Sequence, residues 1–123
     1  TKVKNFFNKL GTSIEIKNEK LSNNFWAISG TMAAFYEILK ILSDWLVKNK
    51  IKREKSQEYI TSLYFALSGL ALENSKKNLK KFVADSQTPG GLNWQGVNQL
   101  RKAGYYKALQ NSLNSLLKRL NNS

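Results

Sequence analysis

Two consecutive stretches, 32–50 and 53–73, decide what this chain can become. Each is long enough for five or more helical turns, and neither contains a proline. The first carries Phe35, Tyr36, Ile38, Leu39, Ile41, Leu42, Trp45, Leu46 and Val47; the second carries Tyr59, Ile60, Leu63, Tyr64, Phe65, Leu67, Leu70 and Leu72. At 3.6 residues per turn these positions cover most of each helix rather than one stripe. A helix apolar on most sides must be covered on most sides. A chain of 123 residues has room for one domain with a modest core. Its own remaining segments are too few to cover both helices. The covering surface is therefore expected to be a second copy of the same chain, because exposed apolar patches of that extent are uncommon on monomers. A compact bundle with a few apolar residues on its surface is the competing reading.

The rest of the pattern is helical as well. Residues 5–10 read as a helix end with Gly11 behind it, and Ser13-Ile14-Glu15-Ile16 alternates like a short strand. A short helix is expected from 18 to 29, interrupted at Gly30, with Thr31 placed to cap the long run that follows. A basic helix is expected over 75–84. Another begins with Asn93 or a neighbour as cap, reaches 103 and stops at Gly104. Tyr105, Leu109, Leu113, Leu116, Leu117 and Leu120 then recur at spacings of four, four, three, one and three, an amphipathic last helix. The fold class is all-α, with a small helix and strand at the N-terminal end.

Composition removes several chemistries. There is no cysteine and no histidine, so disulfides, thiolate nucleophiles, histidine metal sites and Ser-His-Asp catalysis are excluded within this chain. The eight carboxylates show no spacing suited to a metal. Glu37 and Asp44 stand two turns apart on one helix face. A buried Glu37 would be a possible acid–base group, but a solvated or lysine-paired carboxylate is the expectation. The net charge of +12 raises nucleic acid as a partner. The lysines cluster at 48–55 and 76–81, where helices end, without the interleaved aromatics of a base-stacking surface. They are read as solvated surface. Residues 21–36, the longest uncharged stretch, are too short and too polar to span a bilayer, so no membrane partner is expected. No signal peptide is visible, and the lack of cysteine fits a cytoplasmic protein. The chain begins at Thr1 and its one methionine is Met32, which reads as a fragment or processed product.

Residues 88–93 read Thr-Pro-Gly-Gly-Leu-Asn and hold the only proline. Proline fixes one φ angle and the two glycines free the next two, so the chain can turn sharply just before a helix. Such a turn can offer backbone N–H groups to a carboxylate or phosphate; it can equally be a plain interhelical loop. The wider segment 85–109 resembles the C-terminal part of the pyrroline-5-carboxylate reductase family, where a T-S-P-G-G-T-T motif precedes a helix, a glycine corner and a last helix. Residues 27–35, Ala-Ile-Ser-Gly-Thr-Met-Ala-Ala-Phe, are similar to that family's A-L-S-G-S-G-P-A-Y. The two motifs stand about as far apart as the family requires. The resemblance runs over residues 9–120.

The resemblance implies a helical dimerisation domain of the type found at the C-terminus of 6-phosphogluconate dehydrogenases, over residues 18–123. Residues 1–17 would be the remnant of, or linker from, a nucleotide-binding domain. It implies an oxidoreductase that reduces a cyclic imine with NAD(P)H, as in proline biosynthesis, working as a homodimer or higher homo-oligomer on a small-molecule substrate. The substrate contacts carried over are Thr31, Thr88, Gly90, Gly91, Leu92 and Asn93, with Asn93 at the position of a threonine that contacts substrate and cofactor. No metal is implied. No G-x-G-x-x-G occurs in the sequence, so this chain alone is not expected to bind the cofactor or turn over substrate. Three departures weaken the substrate contacts more than the fold. Asn93 replaces the threonine, and Met32 and Ala33 replace the glycine and proline that follow Gly30-Thr31. A reductase of another imine or ketone, or a non-catalytic dimerisation module, remains as the alternative.

Overall fold

The computed structural model describes residues 21–123. The expected helix end at 5–10, the strand at 13–16 and the proposed remnant 1–17 lie outside the described residues. Among the described residues six α-helices follow one another: α1 Ser22–Ser29, α2 Met32–Lys48, α3 Arg53–Glu73, α4 Leu79–Asp85, α5 Leu92–Lys102 and α6 Tyr105–Asn121. There is no strand among the described residues, so the all-α expectation holds for them. They divide into two compact units. One joins the residues up to Ala33 to Tyr105–Ser123, and the other is Ala34–Gly104.

In the first unit, α1 packs against α6. The leucines at 113, 116, 117 and 120 are half-buried, which is the stripe expected from their spacing. Burying a leucine fully contributes about 1.5–3 kcal/mol, so each of these contributes roughly half of that. Ala27 is the buried centre of α1. Gly30 has an ordinary backbone (φ −70°). It interrupts the helix through close approach, since a Cβ there would stand 2.8 Å from Leu116 Cδ1 and 3.1 Å from the Ala27 carbonyl oxygen. The Asn23 amide donates to the Asn121 side-chain oxygen at 3.0 Å, tying the start of α1 to the end of α6. Thr31 does not act forward as a cap. Its hydroxyl donates back to the Ile28 carbonyl at 2.7 Å.

In the second unit, α3 occupies the expected residues, while α2 stops two residues short of expectation. Lys50 adopts φ 75° and closes α2 in a Schellman arrangement. Its N–H donates to Val47 O at 3.0 Å, and the Ile51 N–H donates to Leu46 O at 3.1 Å. That geometry normally selects glycine. The basic helix α4 starts later than expected because Asn78 caps it, accepting from the Lys80 N–H at 2.9 Å. The residues before it turn back on themselves, with the Lys77 N–H on Asn74 O at 2.9 Å. Gly104, at φ 84°, ends α5, and its N–H donates to Arg101 O at 3.1 Å.

Apart from Ala27, Ile60 is the only large or small apolar side chain that is buried among the described residues. Many apolar residues of α2 and α3 stay exposed, Trp45 at 63%, Tyr59 at 62% and Phe65 at 83%, while Ile38, Leu39, Leu42, Leu46 and Val47 of α2 are half-buried. The helices thus form as the sequence predicts, but the described residues cover only part of their apolar surface. Ser22–Lys48 departs from expectation. Its 27 residues contain a long apolar window that is almost wholly exposed, so by length and composition it could cross a bilayer. A helix awaiting a protein partner carries the same signature.

Candidate functional site

The turn at 88–91 is built by its backbone. The Gly91 N–H donates to Thr88 O at 2.7 Å, and Gly90 takes φ 79°. Proline second and positive φ third is the type II pattern. Only Gly90 uses the conformational freedom of glycine. Gly91 is extended (φ −84°, ψ 178°), and its hydrogen atom sits where a Cβ would come within 3.0 Å of Thr88 O. Gly91 is the N-cap of α5, with no side chain bonded to the first turn. The first helical bond is Gln95 N–H to Gly91 O at 3.0 Å. The amides of Leu92, Asn93 and Trp94 therefore head the helix without intrahelical acceptors, where the helix dipole favours an anion.

Two expectations are corrected here. Asn93 does not cap α5; it is the second residue inside the helix, because the turn delivers Gly91 to the capping position. The Gly91 N–H is not free for a ligand either, since the turn itself consumes it. Thr88, Gly90, Gly91, Leu92 and Asn93 are brought together by this turn. Leu92 is 88% exposed, so its side chain contributes nothing to the local packing. Thr31 belongs to the other unit.

Asp44 carries the other polar constellation. The Lys40 ammonium lies 2.8 Å from Asp44 Oδ2, and the Arg53 guanidinium 3.0 Å from Oδ1. The hydrogen bond from Lys40, then that from Arg53, holds the Asp44 carboxyl below the ordinary carboxylate range. The same bond raises Lys40. Glu37 is exposed, so this is a structural clamp where the sequence allowed a carboxylate pair. It ties the start of α3 to α2. No group of three potential metal ligands occurs among the described residues. Those residues also contain no strand-to-glycine-turn-to-helix unit. The lysines at 48–55 and 76–81 are exposed.

What most distinguishes this surface is therefore the uncovered apolar faces of α2 and α3. Comparison with known proteins agrees with that emphasis. A solved structure of Plasmodium falciparum pyrroline carboxylate reductase with NADP bound is similar to this chain at 26% identity with a TM-score of 0.75. The match covers 96% of this chain and 45% of the reductase chain. The chain thus spans less than half the length of that structure. No curated protein matches it. The family model for pyrroline-5-carboxylate reductase dimerisation matches residues 19–122, nearly the whole sequence, and the chain belongs to that family.

Proposed function

We propose that this chain is the dimerisation and substrate-holding domain of an NAD(P)H-dependent reductase acting on a cyclic imine of the pyrroline-5-carboxylate type, in the direction that forms proline. The observation that carries the reading is the family match over 19–122, in a chain whose long helices expose the apolar surface a dimer would cover. Residues 18–123 are the helical domain in this reading, and 1–17 are the end of a nucleotide-binding domain that holds NAD(P)H, as the similar reductase holds NADP. The protein works in the cytoplasm as a homodimer or larger homo-oligomer, without metal, nucleic acid or membrane.

The turn at 88–91 supports the substrate part. The amides at the head of α5 suit a carboxylate, and the Asn93 side chain, not engaged in capping, is available to a ligand. Asn can donate and accept a hydrogen bond but cannot serve as a proton source the way a hydroxyl does. Its work would be placement of the substrate. Hydride chemistry would come from the cofactor when bound to the other domain. Thr88 is the remaining proposed contact on this turn, and Thr31, in the other unit, is proposed as a substrate contact in its own right.

The departures at Met32 and Asn93 favour two alternatives, a reductase of a different imine or ketone and a non-catalytic dimerisation module. The test is NAD(P)H oxidation by the full-length protein with pyrroline-5-carboxylate and, in parallel, other cyclic imines and ketones. Turnover of the first substrate with the highest kcat/KM is the expected result. Activity confined to another substrate moves the chain to a divergent reductase, and no activity in a folded dimer makes it a structural module.

A further inference from the structure

Residues 74–84 hold four lysines, Lys76, Lys77, Lys80 and Lys81, and no carboxylate. All four are exposed. Lys81 pairs with Asp85 at 3.1 Å, and among the described residues no ion pair engages Lys76, Lys77 or Lys80. α4 adds apolar surface to this charge. Leu79 and Val83 stand one turn apart on one side of the helix and are 63% and 46% exposed. Between α4 and the turn before it lies a recess of about 100 Å³ lined by Asn74, Lys77, Lys81, Phe82 and Asp85. Asp85 is engaged by Lys81, so Lys77 is the recess cation left to an incoming group. The backbone here is held in place. The Ser75 N–H donates to Leu72 O at 3.1 Å, the Lys77 N–H to Asn74 O at 2.9 Å, and Asn78 caps α4.

We propose that α4 and the turn before it form a docking surface for an acidic, leucine-rich peptide segment of another protein. Carboxylates of the segment meet Lys76, Lys77 and Lys80, and its apolar side chains rest on Leu79 and Val83. Charge complementarity selects this occupant. The chain carries a net charge of +12, and such a field steers anionic partners toward it. A second copy is ruled against by the same charge, because a twofold contact across this face sets four lysines against the same four. A small anion would leave Leu79 and Val83 uncovered. Helices that lie on a bilayer bury a long apolar face, whereas α4 has seven residues and offers two exposed apolar side chains. A recess the size of one side chain suits a peptide, whose residues project singly. The surface uses no residue of the 88–93 turn, so it holds whether or not the chain is a reductase.

The test is fluorescence anisotropy of a short labelled synthetic peptide, built of alternating Glu and Leu pairs, titrated with the whole chain. Circular dichroism checks that each variant keeps its helices. The wild type is expected to bind with saturation, and to bind a peptide with Gln in place of Glu about tenfold more weakly or worse. Lys77→Glu combined with Lys80→Glu is expected to weaken binding about tenfold or more, since each reversal removes an attraction and adds a repulsion. Leu79→Gln is expected to cost about threefold to tenfold through lost apolar contact. Lys48→Glu combined with Lys55→Glu changes the net charge equally at the other end of α3. That helix of 21 residues is about 30 Å long, beyond the reach of screened charge, so affinity should stay within about twofold of wild type. Equal losses in the two lysine pairs, or no saturable binding by the wild type, refute the surface. Unchanged affinity in Leu79→Gln overturns the apolar contact and leaves a bare charge patch. Tighter binding to phosphatidylserine vesicles or to single-stranded DNA, lost in the Lys77→Glu and Lys80→Glu variant, overturns the proposal in favour of a lipid or nucleic-acid surface.

Discussion

Gly90 and Lys50 share one backbone conformation with opposite residue choices, which allows a paired test of the turn geometry. Gly90 sits at φ 79° and Lys50 at φ 75°. A side chain at positive φ costs about 1–2 kcal/mol from the contact of Cβ with the backbone. Replacing glycine by alanine also removes freedom from the unfolded chain, which returns about 0.4–1 kcal/mol. A Cβ at Gly90 meets nothing within 4 Å, so no packing term enters. Gly90→Ala should therefore destabilise by about 1 kcal/mol, all of it backbone. Lys50→Gly should stabilise by a similar or slightly smaller amount, about 0.5–1 kcal/mol, because the Schellman hydrogen bonds are already formed. In a chain of this size such changes move the melting temperature by about 3–6 °C. Thermal melts followed by circular dichroism at one fixed protein concentration measure both, since association shifts the midpoint. A Gly90→Ala variant that melts with the wild type, or a Lys50→Gly variant that melts lower, would refute the argument. Under the proposed reductase function, Gly90→Ala should also lower kcat/KM, because the type II turn sets the direction of the α5 amides.

Asn93→Asp separates stability from ligand binding. A carboxylate in the first turn of α5 should stabilise by about 0.3–1 kcal/mol yet raise KM for an anionic substrate; unchanged KM in full-length kinetics would remove Asn93 and the α5 terminus from the substrate site. Phe65→Glu places a charge on the most exposed large apolar side chain of α3 and should raise the dimer dissociation constant at least tenfold while circular dichroism stays helical; an unchanged constant would put that face outside the interface. Asp44, with its lowered pKa, contributes stability that is present above the ordinary aspartate range and lost as pH falls through the lower folded value. Asp44→Asn should flatten the dependence of melting temperature on pH below about pH 4, an effect that shrinks in high salt; a slope identical to wild type would show that the clamp adds nothing.

Local preference was legible in the sequence wherever one segment decided the outcome. The boundaries of α3, the stop at Gly104 and the leucine stripe of α6 follow from periodicity and glycine placement, which act within a few residues. The need for a partner was legible too, because all-round apolar character is a property of composition along a helix. The resemblance in residues 27–35 and 85–109 points to the family whose model matches residues 19–122.

What the sequence did not settle depends on how backbone groups are spent. Thr-Pro-Gly-Gly announced a turn, but only the structure assigned positive φ to Gly90 alone, gave the Gly91 N–H to Thr88 and moved the cap from Asn93 to Gly91. Nothing about Lys50 marks it for a left-handed conformation. It adopts one because the helix end beside it offers two carbonyls to the amides of Lys50 and Ile51, and those bonds outweigh the strain. Ser43 and Asp44 are neighbours with opposite fates for the same kind of reason. α3 folds back so that Arg53 reaches Asp44 and Ser43 is shut away from water. Such outcomes depend on which residues distant in the chain come close in space, and no local pattern carries that information.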